Sequence, residues 1–109
     1  MTTNNTYTPY RSMRAALMNL RNFRGSSVSA VLNNNIYTVK SYQTVMLSLD
    51  TQTGTVLFNN RYYSHTTSKI QNLIKAAFNL YNCKERAVFR VQHGDIKATY
   101  ETLKEAAEA

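Results

Sequence analysis

A small α+β domain is the fold class this sequence predicts: an antiparallel β meander packed by two or three helices, in the order α-β-β-β-β-α-β-α. Three observations lead there. Residues 9–22 and 70–81 carry apolar side chains at spacings of three and four, the period of a helix with one buried face. The stretch between them alternates apolar and polar residues, punctuated by Asn and Gly, the pattern of short strands joined by tight turns. A length of 109 residues with 43% hydrophobic content suffices for one core and is too little for two.

The elements follow in order. Residues 1–8 are polar and predict a disordered segment, which leaves 9–109 as a single α+β domain. Thr8-Pro9 reads as a helix start, with Thr8 as N-cap and Pro9 at the first helical position, where its missing N–H costs nothing. Tyr10, Met13, Ala16, Leu17 and Leu20 then form one apolar stripe of a helix over 9–22. Gly25 reads as the left-handed residue that closes it. Val28, Ala30 and Leu32 alternate with their neighbours. Asn33-Asn34-Asn35 is a turn, because Asn tolerates positive φ. Residues 36–42 are β-branched and aromatic, Val45, Leu47 and Leu49 mark a half-buried strand, and Gly54 closes a hairpin into a strand over 55–58. Ile70, Leu73, Ile74, Ala77, Phe78 and Tyr81 make the clearest helical stripe, with Lys69, Gln71, Asn72, Lys75 and Asn79 assigned to its solvent side. Ala87, Phe89 and Val91 mark a strand. Asp95 reads as the cap of a last helix with Ile96, Tyr100, Leu103 and Ala107 as its stripe.

Charge narrows the function classes. Thirteen Lys and Arg face six Asp and Glu. Residues 1–93 hold eleven of the cations and only Asp50 and Glu85 among the acids, whereas 94–109 hold two cations and four acids. A cationic body with an anionic tail favours nucleic acid, a nucleoprotein or an acidic protein as partner. The cationic residues expected to meet a partner are Arg11, Arg14, Arg21, Arg24, Lys40, Arg61, Lys69 and Lys75, with Tyr42 and Tyr63 beside them. Tyr37, Tyr42, Tyr62 and Tyr63 with Lys40 and Arg61 are candidates for a stacking face on the sheet.

Catalytic chemistry finds few residues here. Cys83 is the single cysteine, so the chain holds no internal disulfide and no cysteine-based zinc site, which fits a reducing cytoplasm. Cys83 follows a helix C-terminus, where the dipole disfavours a thiolate. His65 and His93 have no neighbouring ligands at metal spacing, and no glycine-rich phosphate loop is present. A triad of Ser64, His65 and Asp50 lacks the nucleophile-elbow pattern. The expectation is a non-enzymatic binding protein with no cofactor and no metal. Its apolar runs, Val45-Met46-Leu47 among them, are far too short to span a bilayer, so no membrane association is expected.

The segment Tyr37-Thr38-Val39-Lys40-Ser41-Tyr42-Gln43-Thr44, with Tyr62-Tyr63-Ser64-His65-Thr66-Thr67-Ser68-Lys69 and Asn72 after the hairpin, resembles a family of small phage and prophage proteins without assigned activity. Their pattern is Tyr-x-Val-x-Ser-Tyr-x-Thr, a strand pair, then Tyr-Ser-x-Thr-Thr-Ser leading into a helix. The resemblance covers about residues 22–82, including Asn22-Phe23-x-Gly25, and leaves out the last 27 residues. It implies a mobile-element setting in the cytoplasm of a bacterial host and carries over no catalytic residue.

Two readings of the motif compete. Ser64, Thr66 and Thr67 suit a helix N-cap. They also suit an anion site formed with Lys69 at a helix N-terminus. At the level of function the sequence supports a mobile-element protein that contacts nucleic acid or a nucleoprotein. The alternatives are an inhibitor of a host defence nuclease of the anti-CRISPR type, and a small virion or assembly component that self-associates.

Overall fold

The computed structural model describes residues 8–109. The segment expected to be disordered therefore lies, Thr8 apart, outside the described residues. Thr8 itself is held, its N–H donating to the Arg24 carbonyl at 2.8 Å.

Helix α1 spans Tyr10–Met18 and buries Met13 and Leu17. It is shorter than the spacing predicts at both ends. Pro9 occupies the N-cap position with no side-chain hydrogen bond, so Thr8 is not the cap. At the other end Asn19 donates through both its N–H and its side-chain amide to the Ala15 carbonyl, and Leu20 takes a left-handed φ of 52°. The chain then turns back to the sheet because two side chains pull it there. The Tyr37 hydroxyl donates to the Arg21 carbonyl at 2.7 Å, and Asn22 Oδ1 accepts from the Leu32 N–H at 2.7 Å.

Phe23–Arg24 form a two-residue strand, β1, paired with β2 (Val28–Asn33). Gly25 thus lies between two strands and is not a left-handed helix terminator. Its constraint is steric: a Cβ there would sit 2.5 Å from Met13 Cε and 2.9 Å from Val28 Cγ1. The turn expected over Asn33-Asn34-Asn35 is a two-residue one: Asn34 and Asn35 take φ of 52° and 71°, while Asn33 ends β2 opposite Ile36, the first residue of β3 (Ile36–Ser41). Strand β4 (Thr44–Asp50) carries a bulge opposite Val39 and Lys40, and the unpaired Met46 is fully buried there, against the simple alternation read from the sequence. Gly54, at φ 77°, closes the hairpin into β5 (Thr55–Asn59).

Helix α2 (His65–Phe78) then crosses the sheet face before the chain returns as β6 (Val88–Gln92) beside β5. Ser64 caps α2, its hydroxyl accepting from the Thr67 N–H. Ile70, Leu73 and Ile74 are buried, but so is Gln71, which periodicity assigns to solvent. Tyr81 lies beyond the helix end and is exposed.

The largest departure follows. His93-Gly94, with φ of 54° and 85°, form a two-residue turn, and Asp95–Tyr100 return as strand β7 with Asp95 opposite Gln92. Asp95 is therefore no helix cap. Ile96, Ala98 and Tyr100 in fact alternate with Asp95, Lys97 and Thr99 as a strand does, but the spacing of four between Ile96 and Tyr100 fits a helix equally well, and the pairing carries a bulge at Lys97. The predicted stripe divides: Ile96 and Tyr100 lie on β7, Leu103 and Ala107 on α3 (Leu103–Glu108).

The seven antiparallel strands stand in the sheet in chain order, so the fold is an α+β meander. One face carries Tyr37, Val39, Leu47, Phe58 and Phe89 against Met13 and Leu17 of α1 and Ile70 and Ile74 of α2. The other face has a smaller apolar layer in which Val88 and Ala106 are fully buried and α3 rests on β5, β6 and β7. Arg90 pins α3 there, Nη2 donating to the Ala106 carbonyl at 3.1 Å while the guanidinium lies over the Tyr100 ring. No helix among the described residues is long and apolar enough to cross a membrane.

Candidate phosphate-binding surface

The fold converts the charge imbalance of the sequence into a difference between two faces. The helical layer presents Arg11 and Arg14 from α1 and Lys69 and Lys75 from α2, and neither helix contains an acidic residue. Arg11, Arg14 and Lys69 are exposed and Lys75 is half-buried in the last turn of α2, where a cation also complements the helix dipole. The helices are docked to each other, and the Tyr10 hydroxyl donates to the Lys69 carbonyl at 3.3 Å. Arg21 and Arg24 continue along the loop after α1 and the outermost strand β1, both exposed. Of the six acids, five lie away from the two helices, Asp50 at the β4–β5 hairpin, Asp95 and Glu101 on and after β7, Glu105 and Glu108 on α3, and the sixth, Glu85, is exposed in the loop after α2.

Not every predicted residue joins this layer. Lys40 sits on the opposite sheet face, since its neighbours Val39 and Ser41 are the buried ones. Arg61 donates through Nη1 to the Glu101 carbonyl at 2.6 Å and so braces the β7–α3 junction. The Tyr63 hydroxyl accepts from the Asn59 amide at 2.9 Å. Tyr42 occupies the β3–β4 turn with φ 56° and is 61% exposed. Tyr37 is fully buried and takes no part in any stacking face. Burial pushes its hydroxyl pKa up to about 12.

The 64–68 segment acts as a cap. Ser64 Oγ accepts from the Thr67 N–H at 3.2 Å, and Thr67, only 3% exposed, also shares its hydroxyl with Ser64 and, at 3.1 Å, with the buried Ser41. Those hydroxyls face inward, which leaves Thr66 and Lys69 as the outward residues of the anion site proposed from sequence. Ser64 is tied through Thr67 to Ser41, which pairs with Thr44 at the start of β4, whereas Asp50 ends that strand six residues or roughly 20 Å further on at about 3.3 Å per residue. The triad of Ser64, His65 and Asp50 is thereby excluded.

A second concentration of positive charge was not foreseen. Between α2 and the 79–86 loop lies a cleft of about 210 Å3 lined by Lys75, Lys84 and Arg86, with Tyr62 on its rim. Asn60, Ser68, Gln71 and Asn72 complete the wall, and no acidic side chain lines it. Two buried amides hold it open. Asn60 donates to the carbonyls of Cys83 and Glu85, both at 2.8 Å, fixing the backbone on either side of Lys84. Gln71 donates to the carbonyls of Asn59 and Arg61 at 2.9 and 2.7 Å, fixing the irregular segment after β5 that carries Tyr62. The Arg86 guanidinium lies over the Tyr62 ring at 5.1 Å. Cys83 is buried behind this loop, and burial raises its thiol pKa while the Lys75 charge works the other way. In sequence, Tyr62 and Lys84 stand far apart and Glu85 disguises the Lys84–Arg86 pair as a balanced run; the pairing of β5 with β6 and the hydrogen bonds of Asn60 bring them together.

A larger depression of about 470 Å3 beside α1 contains Arg21 as its one cation among the described residues and offers no comparable convergence of charge. No family model, curated protein or solved structure matches the chain.

Proposed function

We propose that the chain is a non-catalytic binding protein of a phage or prophage that holds the phosphate backbone of a nucleic acid, free or within a nucleoprotein complex. The observation that carries this reading is the one-signed helical layer: Arg11, Arg14, Lys69 and Lys75 on two packed helices that contain no carboxylate. A surface of one sign neutralises phosphates and releases their counterions, which supplies affinity without base-specific contacts. The mobile-element setting rests on the motif resemblance alone.

A mobility-shift series on mixed-sequence DNA and RNA at low salt tests the proposal. Binding at roughly 1–100 µM is expected, the usual range for backbone contact. No shift at the upper end of that range contradicts it.

A second reading, inhibition of a host defence nuclease, is favoured by the exposed tyrosines. Tyr10, Tyr42, Tyr62, Tyr63 and Tyr81 are all exposed, and this residue type is enriched at protein interfaces. Capture from host lysate separates the two. A partner that is lost on nuclease treatment supports backbone binding, and one that survives supports inhibition.

A further inference from the structure

We infer that the cleft between α2 and the 79–86 loop seats a single phosphate group, that of a nucleotide whose base stacks beside Tyr62. For the source of its ligand this rests on the backbone-binding reading; the recognition chemistry stands on the cleft alone. Three cations, Lys75, Lys84 and Arg86, converge on one concavity that no acidic side chain lines. An anion entering it meets three cations, the exposed Glu85 between Lys84 and Arg86 lying outside the lining, and the guanidinium of Arg86 offers paired donors suited to phosphate oxygens.

The cleft is also built in advance. The amides of Asn60 and Gln71 are 8% and 4% exposed, and each spends both of its N–H donors on the backbone of the cleft walls. A site held in this way loses little freedom when it binds.

Size selects the ligand. About 210 Å3 is less than the roughly 300 Å3 at which pockets for whole small molecules begin, so the cleft takes a phosphate and leaves the rest of the nucleotide on the rim. On that rim Tyr62 is 55% exposed with Arg86 against its ring, an arrangement that offers a base a stacking surface.

Calorimetric titration of the full chain tests this with three probes: inorganic phosphate, a nucleoside 5′-monophosphate and a single-stranded oligonucleotide. The monophosphate should bind more tightly than inorganic phosphate, and Tyr62→Ala should remove the difference. Lys84→Ala and Arg86→Ala should each weaken the monophosphate by roughly tenfold, the loss of one charge-assisted contact, while the exposed Lys97→Ala on β7 should leave it unchanged. Because Lys84 and Arg86 are exposed, both variants should fold, which the melting transition checks. Unchanged affinity in Lys84→Ala and Arg86→Ala overturns the site. Equal affinity for phosphate and monophosphate overturns the nucleotide assignment. The oligonucleotide arm identifies the source. Arg11→Glu/Arg14→Glu should weaken the oligonucleotide and spare the monophosphate. A chain that binds the monophosphate but no oligonucleotide overturns a strand as the source and leaves the cleft standing as a site for free nucleotides.

Discussion

The contact between Ser41 and Thr67 ties β3 to the first turn of α2, and its removal has a calculable signature. Both residues are almost completely buried, and their hydroxyls lie 3.1 Å apart. Thr67→Val keeps the shape of the side chain and the Ser64 cap, which uses the Thr67 backbone N–H, but takes from Ser41 its hydrogen-bond partner. A buried hydroxyl left unsatisfied costs about 1–3 kcal/mol. Ser41→Ala should cost less, about 0.5–1.5 kcal/mol, because Thr67 keeps its 3.2 Å contact with Ser64. The double variant Ser41→Ala/Thr67→Val removes both polar groups at once, so it should be no less stable than Thr67→Val alone. The coupling energy of the cycle is then about 1 kcal/mol. Urea unfolding followed by far-UV circular dichroism measures it, since a change of about 2 kcal/mol moves the midpoint by roughly 1 M. A double variant as unstable as the sum of the two single losses refutes the reasoning, as does a neutral Thr67→Val.

Three further outcomes follow from the same structure. Gly25→Ala should destabilise the chain by about 1–3 kcal/mol, because the new Cβ meets the buried Met13 and the stiff Val28 side chain; a melting temperature equal to that of the parent would show the site to be open. Tyr37 stays protonated to about pH 12 in the folded chain but ionises near its ordinary value of 10 when unfolded, so its contribution is intact below pH 10 and is lost as pH rises from 10 towards 12. Stability measured over that window should fall less steeply in Tyr37→Phe, and parallel profiles would contradict the assignment. Arg90→Met removes the hydrogen bond to the Ala106 carbonyl, so limited proteolysis should release the α3 segment sooner than in the parent while the main core keeps its protection.

What the sequence made legible was whatever local chemistry decides. The Asn34-Asn35 and Gly54 turns, the Ser64 cap and the Ile70, Leu73, Ile74 stripe depend on near neighbours, and they stand where the residues imply. What long-range contacts decide was hidden. The end of α1 is set by Tyr37 and Asn22 reaching across from the sheet, and Gln71 is buried because the carbonyls of Asn59 and Arg61 need a donor. Strand β7 was legible locally, in the His93-Gly94 hairpin signal and the alternation of Ile96, Ala98 and Tyr100, but the spacing of Ile96, Tyr100 and Leu103 fitted a helix as well. The motif residues turn out to have structural work: Tyr37 in the core, Ser41 and Thr67 as a buried pair, Ser64 as a cap. For the surface, Arg11, Arg14, Lys69 and Lys75 were readable as cations off the buried stripes, although Lys75 proves half-buried, and their gathering onto two helices without an acid needed the packing of α1 on α2.

That layer is tested most directly by the salt dependence of binding to a fluorescent duplex of mixed sequence, measured by anisotropy for the parent and for Arg11→Glu/Arg14→Glu. Four phosphate contacts predict a slope of log affinity against log salt of about −3.6, at −0.9 for each contact. Loss of two contacts should bring it to about −1.8, with the melting temperature nearly unchanged because both residues are exposed. A slope that is the same in the variant as in the parent contradicts the account, because it places the phosphate contacts somewhere other than the helical layer.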